Sequence, residues 1–207
     1  MVLARALQQR GLRVHVVDAN NHTYADDTVF TEWSQRIRHR NPDNAHPIRL
    51  TVARDTQALQ AVLDEKSHGE CIPQSDVVLV DTMQQLNDRT VLALKAADLV
   101  LAPFKSDLEA RWVSKKLADT IIEPMPIRSM FFDYIVHTPN DRNNSRERMR
   151  NYPLLENEVP DDSDLLTALL NGEIPSSASG SVEDAGKWQN WSAIEALAYE
   201  VMDPRTA

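Results

Sequence analysis

Residues Met1 to Asp18 read MVLARALQQRGLRVHVVD, and this stretch decides the fold class. Leu3, Ala6 and Leu7 share one face of a helical pattern, with Arg5, Gln8, Gln9 and Arg10 mostly on the other. Gly11 suits the C-cap of that helix because glycine tolerates a positive φ. Val14, Val16 and Val17 then make a β-rich run that closes on an acid, Asp18. A helix feeding a short buried strand predicts an α/β protein. In α/β folds that bind nucleotides, a phosphate loop commonly precedes such a helix. A chain opening inside the helix therefore carries the expectation of a lost upstream segment.

Working outward, further apolar β-type runs occur at residues 48–53, 77–80, 99–102 and 130–136, beside the first at 12–17. Several are almost continuously apolar, which suits strands covered on both faces. Helical patterns lie between them at 27–38, 56–66, 86–96 and 107–122. Strands alternating with helices imply a parallel sheet with right-handed crossovers. Ligands in such sheets sit at the carboxyl ends of strands, where Asp18, Asp81 and Pro103 all fall. A shorter strand at 154–159 and a helix at 163–170 follow. The Ser- and Gly-rich stretch IPSSASGSVEDAG reads as a linker. Beyond it Trp188, Trp191, Ile194, Leu197, Ala198 and Val201 repeat at helical spacing. The expected organisation is an α/β domain over 1–175, a linker over 176–187 and an amphipathic helix over 188–203.

At 207 residues the chain is long enough for a sizeable core, and its 42% hydrophobic and 26% charged residues are ordinary for a globular protein. The net charge of −9 argues against a surface that is wholly a nucleic-acid footprint, though not against a local basic patch. A single cysteine, Cys71, excludes an intrachain disulfide and a multi-cysteine metal site. It has no His/Asp partner pattern of a catalytic thiol. A reducing cytoplasm fits this usage. No apolar run approaches the roughly 20 residues of a membrane span.

LARALQQRGLRVHVVDAN resembles the first helix and second strand of the ParA/MinD-type partition ATPases. SDVVLVDT, Ser75 to Thr82, resembles the family's strand that ends in the Walker B aspartate. AADLVLAPFKSDLEARWVSKKL, Ala96 to Leu117, resembles the next strand, its terminal proline and the long helix after it. FTEW at Phe30 to Trp33 resembles the VirC-type branch, linked to plasmid transfer. The likeness covers most of residues 1–175 and implies a P-loop NTPase of the deviant Walker type: a three-layer fold, a parallel sheet flanked by helices. It also implies ATP and Mg²⁺ as cofactors, a homodimer, non-specific DNA, and a DNA-bound adaptor or relaxosome protein as partners. The family's phosphate loop, KGG-x-GKT, has no counterpart in the sequence. On the P-loop-to-helix pattern its lysine would lie about four residues before Met1. The fold would then lack its first, central strand, leaving unpaired sheet edges. Either the start is set at an internal methionine, or the protein is a shortened one.

The resemblance assigns candidate roles. Asp81 ends VVLVD and matches the acid that holds Mg²⁺ beside the phosphates; by itself it is equally a polar residue closing a buried strand. Asp18 matches the first acid of a D-x-D switch near the attacking water and the metal; otherwise it caps a turn. The second acid of that motif is Asn20, which hydrogen-bonds but brings no charge. Asn20 and Thr82 are candidate cofactor contacts. Met83, Gln84 and Gln85 replace the small residues the family often has after its Walker B acid. Loops after the last strands contact the base in the family, which nominates Thr138, Asn140, Pro160 and Asp161, although Pro139, Asn140 and Asp141 equally read as an ordinary turn. Arg142, Arg146, Arg148 and Arg150 are the densest basic stretch and the candidate DNA contacts, with a salt-bridged helix face as the alternative. Lys105, Lys115 and Lys116 lie at or within the helix after Pro103, which the resemblance places near the dimer interface; a charged outer helix face is the stronger reading.

Two functions from different classes follow. One is a ParA-like partition ATPase acting in plasmid or chromosome segregation or in DNA transfer, which as these 207 residues stand hydrolyses ATP poorly. The other is a degenerate, non-catalytic interaction module of the same fold.

Overall fold

The computed structural model describes residues 2–20, 29–40, 48–67, 75–83, 86–120, 127–131, 139–160, 162–173 and 190–203. The chain divides into two compact units, residues 1–97 with 166–175 and residues 98–165 with 176–207.

The first unit carries α1 (Val2–Gln9), β1 (Val14–Asp18), α2 (Val29–Arg40), β2 (Arg49–Val52), α3 (Thr56–Ser67), β3 (Val77–Asp81) and α4 (Asp88–Ala96). Its strands form a parallel sheet in the order β2-β1-β3. β1 is the central strand and all five of its residues are buried, as its apolar run VHVVD requires of a strand covered on both faces. One face packs Val17, Ala19, Ala53, Leu59, Val62 and Ala93 into a cluster that takes in α3 and α4. Gly11 ends α1 with φ +81° and donates its N–H to Gln8 O at 2.9 Å, the left-handed stop expected of glycine there. α4 starts at a side-chain cap, Asn87 Oδ1 accepting from Thr90 N at 2.9 Å. At residues 166–173 the chain returns against α2. The Trp33 indole Nε1 donates to Leu169 O at 2.9 Å, and Gly172, φ +75°, sits so close that a Cβ would lie 2.9 Å from the Arg36 carbonyl carbon.

The second unit holds β4 (Val100–Phe104), α5 (Asp107–Thr120), β5 (Ile127–Phe131), α6 (Pro139–Arg148) and α8 (Trp191–Val201). The helix α7 (Ser163–Leu170) begins in this unit and ends in the other. β4 and β5 pair in parallel. Ala102, Phe104, Ala110, Ile127 and Met149 form the core, flanked by Val113, Leu117 and Tyr152.

Several expectations need correction. α1 buries Arg5 and Gln8 along with Val2, Ala4, Ala6 and Leu7, so only Gln9 and Arg10 of the expected polar side are exposed; the Arg5 guanidinium is held in by a hydrogen bond to Gln8 Oε1. β5 begins at Ile127, before the expected 130, because Arg128 and Ser129 interrupt the apolar pattern without interrupting the ladder; the remainder of 130–136 beyond Phe131 lies outside the described residues. The strand expected at 154–159 is reduced to isolated bridges at its two ends, Leu154 parallel to Ser129 and a second at Val159. Pro139 and Asn140 open a helix instead of a turn, with the proline at a first-turn position where its missing N–H costs nothing. Trp188 falls outside the described residues, while Trp191, Ile194, Leu197 and Ala198 are the buried stripe of α8.

Candidate functional site at the carboxyl ends of the first sheet

β1 and β3 run parallel with Asp18 directly opposite Asp81. In-register residues of adjacent parallel strands project to the same face, about 4.8 Å apart. Both acids therefore lie side by side on the last rung of the sheet, at its carboxyl end. The backbone knits this end together: Ala19 N donates to Asp81 O at 2.9 Å, and Ala53 N donates to Asp18 O at 2.8 Å. The two carboxyl groups differ in environment. Asp18 is 1% exposed, while Asp81 is open to solvent. Asp18 Oδ1 accepts the backbone N–H of Asn20 at 2.9 Å, so the buried acid also turns the chain away from the strand. Asn20 itself meets the acid through its backbone. Thr82 and Met83 follow Asp81 half-buried, and Met83 Sδ accepts from Asn87 Nδ2 at 3.3 Å. Gln84 and Gln85 lie outside the described residues.

One exposed carboxylate backed by a buried one is a donor set that suits a hard cation such as Mg²⁺, which uses one or two protein carboxylates and takes its other ligands from water and phosphate. No cluster of three or more metal-ligating side chains occurs among the described residues. The phosphate side is different: the sequence contains no G-x-x-x-x-G-K-[ST] run.

Arg89 escaped the sequence reading. It is buried on α4, and its Nη1 donates to Ala53 O at 2.9 Å and Arg54 O at 3.1 Å. It thereby braces the carboxyl end of β2 beside Asp18. A single arginine in a helix carries no sequence signal of such a role. His15, expected only as one of six scattered histidines, is buried on β1 with Nε2 2.9 Å from Thr51 Oγ1.

In the second unit, Pro160 is half-buried after the Leu154 bridge. Asn140 occupies the first turn of α6. Thr138 and Asp161 lie outside the described residues. The four arginines share α6 and its end, and Arg142, Arg148 and Arg150 each face an acid. Arg142 pairs with Glu158, Arg148 Nε meets Asp107 Oδ1 at 2.5 Å, and Arg150 meets Glu147 at 2.8 Å. The hydrogen bond from Arg148 to Asp107 raises the guanidinium pKa above its usual value. Arg146 is exposed. No described helix is long and apolar enough to cross a membrane.

No family model matches the chain, and no curated protein matches it. Among solved structures it is similar to the MinD cell division protein of Aquifex aeolicus, with a TM-score of 0.62, 14% identity, and coverage of 97% of this chain and 89% of that one. It is similar in the same degree to a ParA family ATPase from Chlorobium tepidum TLS, with a TM-score of 0.62, 16% identity, and coverage of 96% and 89%. These likenesses show the fold alone: parallel sheets flanked by helices.

Proposed function

We propose that this chain is a partition-type protein of ParA/MinD character, in the VirC-like branch, whose Asp81 holds Mg²⁺ while Asp18 orients water beside it. The observation that carries this reading is the pairing of Asp18 with Asp81 on one rung at the carboxyl end of adjoining parallel strands. That is where open α/β sheets bind their ligands. The shared fold with a MinD protein and a ParA-family ATPase supports it. Magnesium, when bound, would supply neutralisation of phosphate charge. The chain's own residues do the rest: Asp81 offers the accessible carboxylate, Asp18 fixes the turn through Asn20, and Arg89 holds the neighbouring strand end. The reading includes a cytoplasmic homodimer that associates with DNA non-specifically and with an adaptor bound to that DNA.

Because the 207 residues contain no glycine–lysine phosphate cradle, they bind Mg·ATP weakly and hydrolyse it poorly. Calorimetry on residues 1–207 tests this, and micromolar affinity would overturn it. In a protein extended upstream to carry a phosphate loop, nucleotide binding is restored and Asp81→Ala sharply lowers hydrolysis. Hydrolysis at the parent rate in that variant removes Asp81 from the site.

One observation favours a second reading, a non-catalytic interaction module of the same fold. Asn20 stands where the D-x-D pattern has its second acid, and it engages Asp18 through its backbone N–H. If the extended protein binds nucleotide but shows no Mg²⁺-dependent turnover, and Asn20→Asp restores none, the module is the correct reading.

A further inference from the structure

The sheet of the first unit ends in two edges of different character. β2 carries Arg49 and Thr51 in its ladder, polar residues of the kind that blunt an edge against further pairing. β3 carries Val77, Val78, Leu79 and Val80 before its closing acid, with no lysine or proline among them. Its sequence VVLVD is close to the VHVVD of β1, and the two strands lie in register. Yet β1 is buried along its whole length, while Val77 to Val80 are only half-buried. A strand apolar on both faces is the kind that fills the interior of a parallel sheet. Here it stands at the rim.

The hydrogen bonds show which main-chain groups of β3 are left over. Val77 N donates to Arg13 O at 3.2 Å, and Asp81 O accepts from Ala19 N at 2.9 Å. Successive residues of a strand send their N–H and C=O groups to opposite sides. Val77, Leu79 and Asp81 therefore turn both groups toward β1, and Val78 and Val80 turn both of theirs away from it. Among the described residues no strand pairs with β3 on that side. A row of main-chain donors and acceptors flanked by apolar side chains is a ready template for another strand.

We infer that the free edge of β3 accepts an extended apolar segment of another protein as an added strand. Val78 and Val80 exchange main-chain hydrogen bonds with it. Its side chains pack beside Val78 and Val80 on one face of the sheet and beside Val77 and Leu79 on the other. The main chain selects this occupant. A helix has committed its own N–H and C=O groups internally, and lipid tails offer no partner to either group. Nucleic acid would set phosphate charge against valine and leucine without burying them. A second copy fits less well. Two β3 edges related by a twofold axis run antiparallel, and pairing centred on Leu79 sets the exposed Asp81 of each copy opposite Val77 of the other, which takes both carboxylates from water without a partner.

The test uses the full chain and a fluorescein-labelled peptide of about six valines and isoleucines set between lysines that keep it soluble, read by fluorescence anisotropy. A second peptide has the same side chains but adjacent central amides N-methylated, so that neither of its edges can pair. The first peptide binds saturably and the second at least about tenfold more weakly. Amide exchange followed by NMR finds Val78 and Val80 exchanging faster than Val77 and Leu79 in the free chain, and slowed about tenfold or more by the first peptide. Val78→Pro removes an N–H that the ladder to β1 does not use. Circular dichroism of that variant matches the parent, and its affinity for the first peptide falls about tenfold or more. Where Val78→Pro does not fold, the N-methylated peptide and the amide exchange decide. No saturable binding, equal affinity for the two peptides, Val78 and Val80 amides already protected in the free chain, or parent-like affinity in folded Val78→Pro overturns the proposal. So does self-association in sedimentation that Val78→Pro abolishes, which assigns the edge to a second copy.

Discussion

Three side chains test the packing of the first unit directly. Gly172 has φ +75° and its missing Cβ would press on the backbone of Arg36 and Ile37, whereas Gly11, φ +81°, has nothing within 4 Å of that position. Gly11→Ala therefore costs only the left-handed backbone penalty, about 1–2 kcal/mol. Gly172→Ala costs clearly more, because no flexible side-chain tip can yield. Urea unfolding of both variants checks the order, and equal losses would mean that residues 166–173 do not press on α2. Arg5 offers the opposite sign. Its guanidinium is buried, its Nε has no partner, and burial lowers its pKa. Arg5→Met keeps the length and removes a poorly satisfied charge, so the unfolding midpoint holds or rises, while Arg5→Ala opens a cavity and lowers it. Asp18 was legible because it closes a β-rich run on a polar residue. Arg5 and Gln8 were not, because amphipathic periodicity assumes that a polar side faces water, and here tertiary packing covers part of that side as well.

The elements were legible where one period ran without interruption. VHVVD and VVLVD read directly as strands, the first fully buried and the second half-buried, and α7 matches its sequence pattern at 163–170. Elsewhere local chemistry was ambiguous: Pro139 serves a turn or a helix start equally well, and the polar Arg128 and Ser129 concealed the first half of β5. Ser129 is fully buried there, its hydroxyl donating to Tyr152 O at 2.9 Å, a satisfaction that no sequence pattern announces. The register of Asp18 with Asp81 was likewise outside the reach of sequence, since pairing between strands some sixty residues apart has no local mark. On α6 and at its end, burial separates the arginines: Arg142 is half-buried, Arg146 and Arg150 are exposed. Arg142, half-buried against Glu158, stabilises the unit, so Arg142→Ala lowers the unfolding midpoint. Charge reversal at Arg146 and Arg150 leaves the midpoint near the parent value. If the partition reading holds, it weakens DNA binding alike for every sequence. Gel-shift titrations on unrelated duplexes check this, and a sequence-dependent loss would indicate base readout instead.

For the whole molecule, the charge balance governs any association with DNA. With −9 overall, binding must come from a local patch working against a repulsive field, so affinity falls steeply as salt rises. A salt-independent association measured between low and physiological ionic strength would place the contacts outside phosphate neutralisation. The return of the chain onto α2 also sets a timetable. Trp33 finds its acceptor, Leu169 O, only across 136 positions of sequence. At about 5–20 residues per second of synthesis, roughly 7–27 s separate the making of the donor from the making of the acceptor. During that interval the nascent first unit has its sheet but not the segment that covers α2. Ribosome-bound chains stalled before Leu169 should be cut readily by protease within α2, and chains released beyond Gly172 should resist. The docking of the late segment 166–173 thus makes the amino-terminal half of this protein wait for its carboxyl-terminal half, and the birth of the molecule is exposed to chaperones for as long as that wait lasts.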